Sequence, residues 1–290
     1  MPPHALSRAV AATTAAAGVL ALTLTGTTAR AAEPLNYAAL GDSYSAGSGV
    51  LPVDPANLLC LRSTANYPHV LASRTGALLT DVTCGAAETK DFTQSQYPGT
   101  APQLAAVHAD TDLVTTTIGG NDNGTFLNAV LACGTAGVLG AGQGSPCKDK
   151  YGTSFDDAID TNTYPALKSA LSAVRAKAPN ARVAVLGYPW IVPAAFDPAC
   201  FVKLPIASGD IAYLRGLQAH LNSVVRRAAA ETGAVYVDFT AASEGHDACA
   251  PAGTRWIEPL LFGRNIVPVH PNALGEQRMA ERTASVLGLG

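Results

Sequence analysis

The stretch LNYAALGDSYSAG, residues 35–47, decides the fold of this chain. Its first half, LNYAAL, has the apolar composition of a buried strand, and its second half breaks into small residues around Ser43. A strand that ends on Gly-Asp-Ser places a hydroxyl group where the chain turns. Such a serine is either a turn former or a nucleophile, and the rest of the sequence must supply partners for the second role.

Four further strand-like runs follow, with helical patterns between them. We predict strands over residues 35–40, 80–84, 112–119, 182–189 and 234–239. We predict helices near residues 66–78, 125–133, 155–178 and 210–233, and a last helix with Asn272 as its N-cap. Strands that alternate with helices indicate an α/β protein with a parallel sheet covered on both faces.

The functional site of such a sheet lies beyond the carboxyl ends of its strands. Three short segments follow the first three predicted strands and are the candidates for this site. They are Gly41-Asp42-Ser43, Gly85-Ala86-Ala87 and Gly119-Gly120-Asn121-Asp122.

Composition limits the classes of function. With 290 residues, 48% of them hydrophobic and 14% charged, the chain can bury a sizeable core and is too apolar for a disordered protein. The net charge is −3, and no arginine-rich run or basic face is present. Nucleic acid is therefore not expected as a partner.

The first 31 residues have the pattern of a secretory signal peptide. Arg8 supplies the positive charge, an apolar stretch follows over residues 9–24, and Ala29-Arg30-Ala31 is a small-x-small cleavage site. The alternative, a membrane anchor, is disfavoured because the apolar stretch is short and rich in Thr and Ala. We expect cleavage after Ala31, a single domain over residues 32–290, an extracellular location and no stable membrane insertion.

An even number of cysteines in an exported chain favours disulfides. The sequence alone leaves several pairings open, and nearest-neighbour pairing is one of them. A metal site is disfavoured, since no Cys-x-x-Cys pair exists and no cysteine has a histidine at zinc spacing. The Gly-rich segment 133–147, closed by a cysteine at each end, is predicted to be a tethered loop. The six cysteines are Cys60, Cys84, Cys133, Cys147, Cys200 and Cys249.

The three strand-end segments together could perform nucleophilic catalysis. A neutral serine hydroxyl needs a base to accept its proton and donors to hold the developing oxyanion. Ser43 is the candidate nucleophile. The backbone N–H groups of Ser43 and Gly85 and the side-chain amide of Asn121 are the candidate oxyanion donors.

Histidine is the expected base, because its pKa suits proton transfer near neutral pH. His270 is the best candidate, since Pro271 fixes the loop that carries it, just before the last predicted helix. His4 leaves with the signal peptide. The others lie in helical patterns or in a polar loop, and they are His69, His108, His220 and His246.

The chain resembles the SGNH hydrolases, also called the GDSL family of esterases and lipases, at four motifs in the right order. GDSYSAG is similar to the block that carries the nucleophile, here Ser43. TCGAAET is similar to the second block and gives Gly85, and IGGNDN is similar to the third and gives Asn121. VHPNALG is similar to the last block and gives His270.

The resemblance implies a three-layer αβα sandwich with a five-stranded parallel sheet, the flavodoxin-like SGNH hydrolase fold. It implies an esterase or lipase that forms an acyl-enzyme and needs neither cofactor nor metal. The secreted bacterial lipases of the family further imply three nearest-neighbour disulfides. We expect a monomer that acts on ester or lipid substrates, with acylglycerols as the first choice.

The sequence departs from the family where an aspartate usually orients the histidine, because Val267 occupies that position. Some secreted members use a main-chain carbonyl there, and we expect the carbonyl of Val267 or one close to it to accept from His270 Nδ1–H. The rival is a carboxylate from Glu258 or Asp122. Asp122 is otherwise expected to cap the following helix, and Asp42 to shape the loop around Ser43.

Other functions remain as alternatives. Phospholipase A and carbohydrate O-deacetylase share the expected chemistry, and a non-catalytic binding protein of the same fold is a different class. The nucleophile elbow Gly-x-Ser-x-Gly of the α/β-hydrolases is absent, since Gly41-Asp42-Ser43-Tyr44-Ser45 lacks the second glycine. That disfavours the elbow mechanism.

Overall fold

The computed structural model describes Met1 and residues 33–289 of the chain. The chain divides into the units Met1–Glu33 and Pro34–Gly290, and every helix and strand named below belongs to the second unit. The predicted signal peptide, apart from Met1, lies outside the described residues. Within the described part, no helix is long and apolar enough to cross a membrane.

A five-stranded parallel sheet forms the centre of the second unit. Its strands are β1 (Asn36–Gly41), β2 (Leu78–Asp81), β3 (Leu113–Thr117), β4 (Arg182–Leu186) and β5 (Val235–Val237). Their order in the sheet is β2-β1-β3-β4-β5. In β1, Ala38 pairs with Thr80 on one side and with Val114 on the other. In this flavodoxin-like order the direction of winding reverses at β1 and β3, which leaves a crevice beyond their carboxyl ends.

Helices cover both faces of the sheet. They are α1 (Ser43–Ala46), α2 (Tyr67–Thr75), α3 (Thr125–Leu139), α4 (Pro146–Tyr151), α5 (Ser154–Ala158), α6 (Tyr164–Lys177), α7 (Asp210–Thr232) and α8 (Ala273–Leu287). Helix α2 packs against α8 in one layer, and α6 packs against α7 in the other. The core between the layers includes fully buried aliphatic residues of the strands, such as Leu40 and Val185. The predicted three-layer αβα sandwich with five parallel strands is confirmed.

Four strands end two or three residues earlier than the sequence pattern indicates. Side chains take over the backbone hydrogen bonds at two of these ends. The Asp81 carboxylate accepts from Thr83 N–H at 2.9 Å after β2, and the Asp238 carboxylate accepts from Thr240 N–H at 2.8 Å after β5. Such side-chain turns compete with the ladder and release the chain into loops.

Helix α3 extends into the segment that was predicted to be a glycine-rich loop. It continues through Gly134 and Gly137 to Leu139. A Cβ atom at Gly137 would lie 2.0 Å from Pro205 O. The glycine therefore serves close packing of the helix against the backbone near residue 205, and this tertiary contact outweighs the low helix propensity of glycine.

The helix predicted over residues 155–178 is interrupted. Helix α5 passes into a π-helical turn, Ile159–Thr163, before α6 begins. Pro165 has no N–H to donate to the carbonyl four residues before it, and the Tyr164 N–H bonds to Ile159 O instead. Proline at the second position of α6 thus marks the break.

Three disulfides link the cysteines in the nearest-neighbour pattern that the resemblance implied. The pairs are Cys60–Cys84, Cys133–Cys147 and Cys200–Cys249. The first joins the loop before α2 to the loop after β2. The second joins α3 to α4 and closes the long segment between them.

Candidate active site

Ser43 is the first residue of α1 and follows the end of β1 by two residues. The Asp42 side chain caps this helix by accepting a hydrogen bond from Tyr44 N–H at 3.0 Å. Gly41 has φ +126°, and a Cβ atom there would lie 2.4 Å from Thr117 O. Only glycine fits this turn, which presents the Ser43 hydroxyl beyond the strand.

His270 meets Ser43 from the loop before α8. Its Nε2 atom lies 2.6 Å from Ser43 Oγ. The loop is held on both sides of the ring: Asn272 caps α8, and the Tyr44 hydroxyl donates to Val269 O at 2.7 Å. The two side chains that the sequence assigned to nucleophile and base are thus in hydrogen-bond contact, far apart in the chain.

The second ring nitrogen of His270 faces a backbone carbonyl. Nδ1 lies 2.7 Å from Pro268 O, which fixes Nδ1 as the donor and leaves Nε2 as the acceptor for the Ser43 proton. The expectation was the carbonyl of Val267 or one close to it, and the acceptor is that of Pro268, one residue after Val267. Val269 has φ +53°, and this left-handed turn brings the carbonyl two residues before the histidine back onto its own ring.

Neither rival carboxylate bonds to the His270 ring. Glu258 pairs with Arg255 and also accepts from Asn272 Nδ2 at 2.9 Å. Asp122 accepts from the backbone N–H and the hydroxyl of Thr89 at 2.8 and 2.9 Å. Within residues 33–289, these partners account for both carboxylates without the histidine.

The expectation that Asp122 caps the following helix is wrong. The N-cap of α3 is Gly124, and no side chain caps it. The bonds from Thr89 instead tie the segment after β3 to the segment after β2. Burial raises the pKa of Asp122 to about 6, and the hydrogen bonds from Thr89 offset part of that shift.

The turn after β2 contradicts the expectation that the Gly85 N–H is available as an oxyanion donor. The Gly85 N–H donates to Cys60 O at 2.7 Å and is therefore already engaged. The next N–H, that of Ala86, has no acceptor in the described part of the chain. Ala86 is exposed and has φ +61°. Asn121 Nδ2 donates one proton to Ala87 O at 3.1 Å, which places its amide beside this turn and leaves its second proton free.

We expect Ala86→Gly to stabilise the protein and to keep its activity. A left-handed conformation costs a residue with a Cβ atom roughly 1–2 kcal/mol, and the greater freedom of glycine in the unfolded chain offsets about half of the gain. The net increase in the free energy of unfolding should be about 0.5–1 kcal/mol, measured by urea denaturation. Ester hydrolysis should stay within about twofold, since the N–H is retained. A destabilised Ala86→Gly protein would contradict this assignment of strain.

Tyr188 ties the nucleophile loop to the segment after β3. Its hydroxyl donates to Asp42 Oδ2 at 2.5 Å and accepts from Gly120 N–H at 2.9 Å. Asp42 also accepts from the Thr117 hydroxyl at 2.6 Å. Burial raises the pKa of Asp42 to about 6, against the effect of these bonds. Asp42 contacts the loop and not the histidine, as the sequence indicated.

An apolar pocket opens beside Ser43 and His270. Helix α3 forms one wall and the loop after β4 forms another. The apolar and aromatic lining comprises Phe126, Leu127, Val130, Tyr188, Ile191 and Val269. Burial lowers the pKa of the His270 imidazole below its usual 6.5, and the bond to Pro268 opposes this shift. A buried, neutral imidazole next to a hydroxyl is the arrangement of a general base and its nucleophile.

Sequence reasoning missed several residues of this site. Ala86 and Pro268 each lie one position from the residue that was named, and no side-chain pattern distinguishes neighbouring backbone groups. Tyr188 lies in GYPW just after β4, so inspecting the end of the fourth strand as closely as the first three would have singled it out. No group of three or more His, Cys, Asp or Glu in the described residues is placed to hold a metal ion.

Comparison with known proteins identifies the family of this chain. Residues 39–278 match the GDSL-like Lipase/Acylhydrolase family. The chain is 71% identical to Lipase 2 of Streptomyces coelicolor over the whole length of both proteins.

Two solved structures share the fold over nearly their whole length. The phospholipase A1 of Streptomyces albidoflavus NA297 is 31% identical with a TM-score of 0.71, and 88% of this chain covers 98% of it. The extracellular lipase of Streptomyces rimosus is 29% identical with a TM-score of 0.68, and 87% of this chain covers 99% of it. The chain therefore belongs to the GDSL-like lipase/acylhydrolase family and is a carboxylic ester hydrolase.

Proposed function

We propose that the protein is a secreted lipase or esterase that hydrolyses fatty acyl esters, with Ser43 as the nucleophile and His270 as the general base. The 2.6 Å contact between His270 Nε2 and Ser43 Oγ at the mouth of an apolar pocket carries this proposal. The contact supplies the activated hydroxyl, and the pocket supplies an apolar environment for an acyl chain.

The reaction proceeds through an acyl-enzyme. Ser43 Oγ attacks the ester carbonyl while its proton passes to His270 Nε2, and the carbonyl π electrons move to oxygen. His270 then protonates the departing alcohol as the tetrahedral intermediate collapses. Water attacks the acyl-enzyme by the same route, releases the fatty acid and restores the Ser43 hydroxyl.

Three donors hold the oxyanion in this proposal. They are the backbone N–H groups of Ser43 and Ala86 and the free amide proton of Asn121. Ala86 replaces Gly85 because the Gly85 N–H is bonded to Cys60 O. The dyad uses the Pro268 carbonyl in place of an aspartate. That carbonyl fixes the ring tautomer, which is the part of the triad mechanism that does not require a negative charge.

Acylglycerols are the first choice of substrate, and phospholipids are the second. The aliphatic and aromatic lining of the pocket suits an apolar acyl group. The similarity to a phospholipase A1 supports a phospholipid as the alternative substrate. Three disulfides and the similarity to an extracellular lipase support export, together with the leader-like residues 1–31.

The test is hydrolysis of p-nitrophenyl esters of increasing chain length, followed by triolein and phosphatidylcholine. A maximum at medium or long chains with release of fatty acid from triolein supports the lipase. Release from phosphatidylcholine alone supports the phospholipase. Activity confined to the acetyl ester contradicts both and indicates a deacetylase, and inactivity on every ester contradicts the catalytic proposal.

The pH dependence of kcat/KM should have an acid limb with its midpoint below 6.5. His270 accepts the Ser43 proton only when neutral, and burial lowers the pKa of its imidazole, so the base stays neutral into mildly acidic solution. Activity should fall as pH drops through that lowered pKa. A midpoint above 6.5 would contradict this electrostatic picture.

Two carboxyl groups titrate in the same range, since burial raises the pKa of Asp42 and of Asp122 to about 6. The temperature dependence of the limb separates the histidine from these carboxyl groups. Imidazole ionisation has a large enthalpy and carboxyl ionisation a small one. The midpoint should therefore fall clearly on warming if His270 controls it.

A further inference from the structure

The loop before α8 holds the proposed base, and the carbonyl groups beside that base are each hydrogen-bonded. Pro268 O accepts from His270 Nδ1–H at 2.7 Å, and His270 O accepts from the backbone N–H of Glu258 at 2.9 Å. Both donors belong to the same stretch of chain as their acceptors. The carbonyl between the two, that of Val269, accepts from the Tyr44 hydroxyl at 2.7 Å. This contact ties the loop to helix α1, which carries Ser43.

Two neighbouring residues of α1 thus contact two neighbouring residues of the loop. Ser43 Oγ lies 2.6 Å from His270 Nε2, and the Tyr44 hydroxyl bonds the carbonyl of residue 269. The main chain of Tyr44 is itself fixed, because its N–H donates to the Asp42 carboxylate that caps the helix. Helix α1 therefore positions the nucleophile and also contacts the backbone that presents the base.

The backbone of Val269 is strained where Tyr44 contacts it. Val269 has φ +53°, a left-handed value that a β-branched residue rarely adopts. This angle sets the rotation between the peptide group that carries Pro268 O and the one that carries Val269 O. Rotation of Val269 to an ordinary conformation would turn the Pro268 carbonyl away from the imidazole. A strained conformation persists only where surrounding contacts hold it, and a hydrogen bond to Val269 O opposes that rotation.

The Tyr44 side chain is well suited to hold this carbonyl. Its ring packs between Tyr188 and His270, with centroid distances of 5.2 and 5.1 Å. Burial raises the pKa of the Tyr44 hydroxyl well above its usual 10, and the acidic groups Asp42 and Glu276 add to the shift. The hydroxyl therefore stays protonated and remains a donor at every pH at which the enzyme would work.

We infer that Tyr44 is a positioning residue of the reaction. Its hydroxyl holds Val269 in the left-handed turn, and this turn aims the Pro268 carbonyl at the ring of His270. Tyr44 thereby supports the tautomer that an aspartate fixes in a complete triad. The inference rests on the proposed function, since it names a further residue of that same site.

The tautomer of His270 tests the inference without any measurement of activity. Ser43→Ala removes the other group that bonds the ring, so that Pro268 O alone selects the protonated nitrogen. Nitrogen NMR of this protein with isotope-labelled histidine, above neutral pH, should show the His270 proton on Nδ1. In the Ser43→Ala, Tyr44→Phe double variant the proton should move largely to Nε2, which a free imidazole prefers. The His270 signal is assigned by its loss in His270→Gln.

Tyr37→Phe in the Ser43→Ala background is the matched control. Tyr37 is buried, its hydroxyl bonds Thr115 Oγ1 at 2.6 Å, and it lies near the amino end of β1, at the opposite end of the strand from the dyad. The substitution also removes one hydrogen bond of a buried tyrosine and keeps the ring. It should leave the His270 proton on Nδ1. An equal shift of the proton in the Tyr37 and Tyr44 variants would mean that lost stability moves it, and would overturn the inference.

Kinetics give a second readout with Ser43 in place. Tyr44→Phe should lower kcat on a soluble ester about tenfold, the factor by which the left-handed region is disfavoured for a residue with a Cβ atom. KM should stay within about twofold, because the ring that lines the pocket is retained. Tyr37→Phe should keep kcat within about twofold.

Val269→Gly tests whether the hydroxyl acts through the turn. Glycine adopts the left-handed conformation freely, so removing the Tyr44 hydroxyl from a Val269→Gly protein should lower kcat only about twofold. An equal tenfold loss in both backgrounds overturns the inference, and so does an unchanged tautomer in the Ser43→Ala, Tyr44→Phe variant. Both outcomes leave the proposed function intact. A wild-type protein inactive on every ester overturns the proposed function instead.

Discussion

Ser43→Ala should lower kcat for ester hydrolysis by about four to six orders of magnitude while the protein stays folded. Removing Oγ removes the atom that we propose attacks the carbonyl, and no other hydroxyl lies within reach of His270 Nε2 among the hydrogen bonds of residues 33–289. The residual rate should reflect substrate binding and the oxyanion donors alone. The measurement is hydrolysis of a medium-chain p-nitrophenyl ester, with thermal denaturation to check folding.

Ser48→Ala is the matched control for this loss. Ser48 is buried in the same segment, yet its hydroxyl has no hydrogen-bond partner in the described structure. Its removal should leave activity within about twofold, as expected for a substitution that removes no catalytic contact and no hydrogen bond. A comparable loss in both variants would mean that packing in this segment, and not the Ser43 nucleophile, limits the rate.

The pairing of Ser43 with His270 leads to a stricter prediction for variants of both residues. If Ser43 and His270 act as one unit, as we propose, His270→Ala should cost nearly as much as Ser43→Ala. The double variant should then be no slower than the slower single variant. A fluorophosphonate probe should label the wild-type protein at Ser43 and fail on Ser43→Ala. Multiplicative losses in the double variant would show that Ser43 and His270 act independently.

The sequence was informative where chemistry depends on side-chain type. Ser43, Asn121 and His270 stand out because each type is suited to its role and each follows a strand or precedes a helix. The alternation of strands and helices likewise predicted the sheet. These features are local, and the structure brings the three side chains to one edge of the sheet as the topology requires.

The sequence did not indicate which backbone N–H and carbonyl groups face the site. Whether the N–H of Gly85 or of Ala86 is free depends on the contact with Cys60 O. Cys60 lies in the loop before α2, whereas both N–H groups lie in the turn after β2. The carbonyl that faces His270 is that of Pro268 because Val269 adopts a left-handed φ, which β-branched residues rarely do. The backbone groups named from the sequence, at Gly85 and Val267, were therefore each one residue before the groups that face the site.

Packing accounts for the remaining differences. Glycines in residues 133–139 suggested a loop, but close contact with the backbone near Pro205 requires a helix without side chains there. The sequence also did not indicate which apolar side chains face solvent. Exposed and buried leucines look alike in a sequence, and only the fold separates Leu131, which faces solvent, from Val130, which lines the pocket.

Asn121→Ala should lower kcat about 10²–10³-fold and change KM little. The free amide proton of Asn121 is proposed to bond the oxyanion, which carries its full charge only in the tetrahedral intermediate and the transition states around it. A donor used there contributes to the rate and not to ground-state binding. Steady-state kinetics on a soluble ester, where the lipid surface plays no part, separates kcat from KM.

Asn123→Gly controls for changes to the same turn. Asn123 is exposed with φ +54°, a conformation that glycine adopts freely, and its side chain makes no hydrogen bond in the described structure. It should retain activity within about twofold. Asn121 also bonds Ala87 O, so part of the loss in Asn121→Ala could come from a displaced oxyanion turn. The kinetic constants separate the two roles: a displaced turn should raise KM as well as lower kcat, whereas a fall in kcat with unchanged KM assigns the amide to the oxyanion.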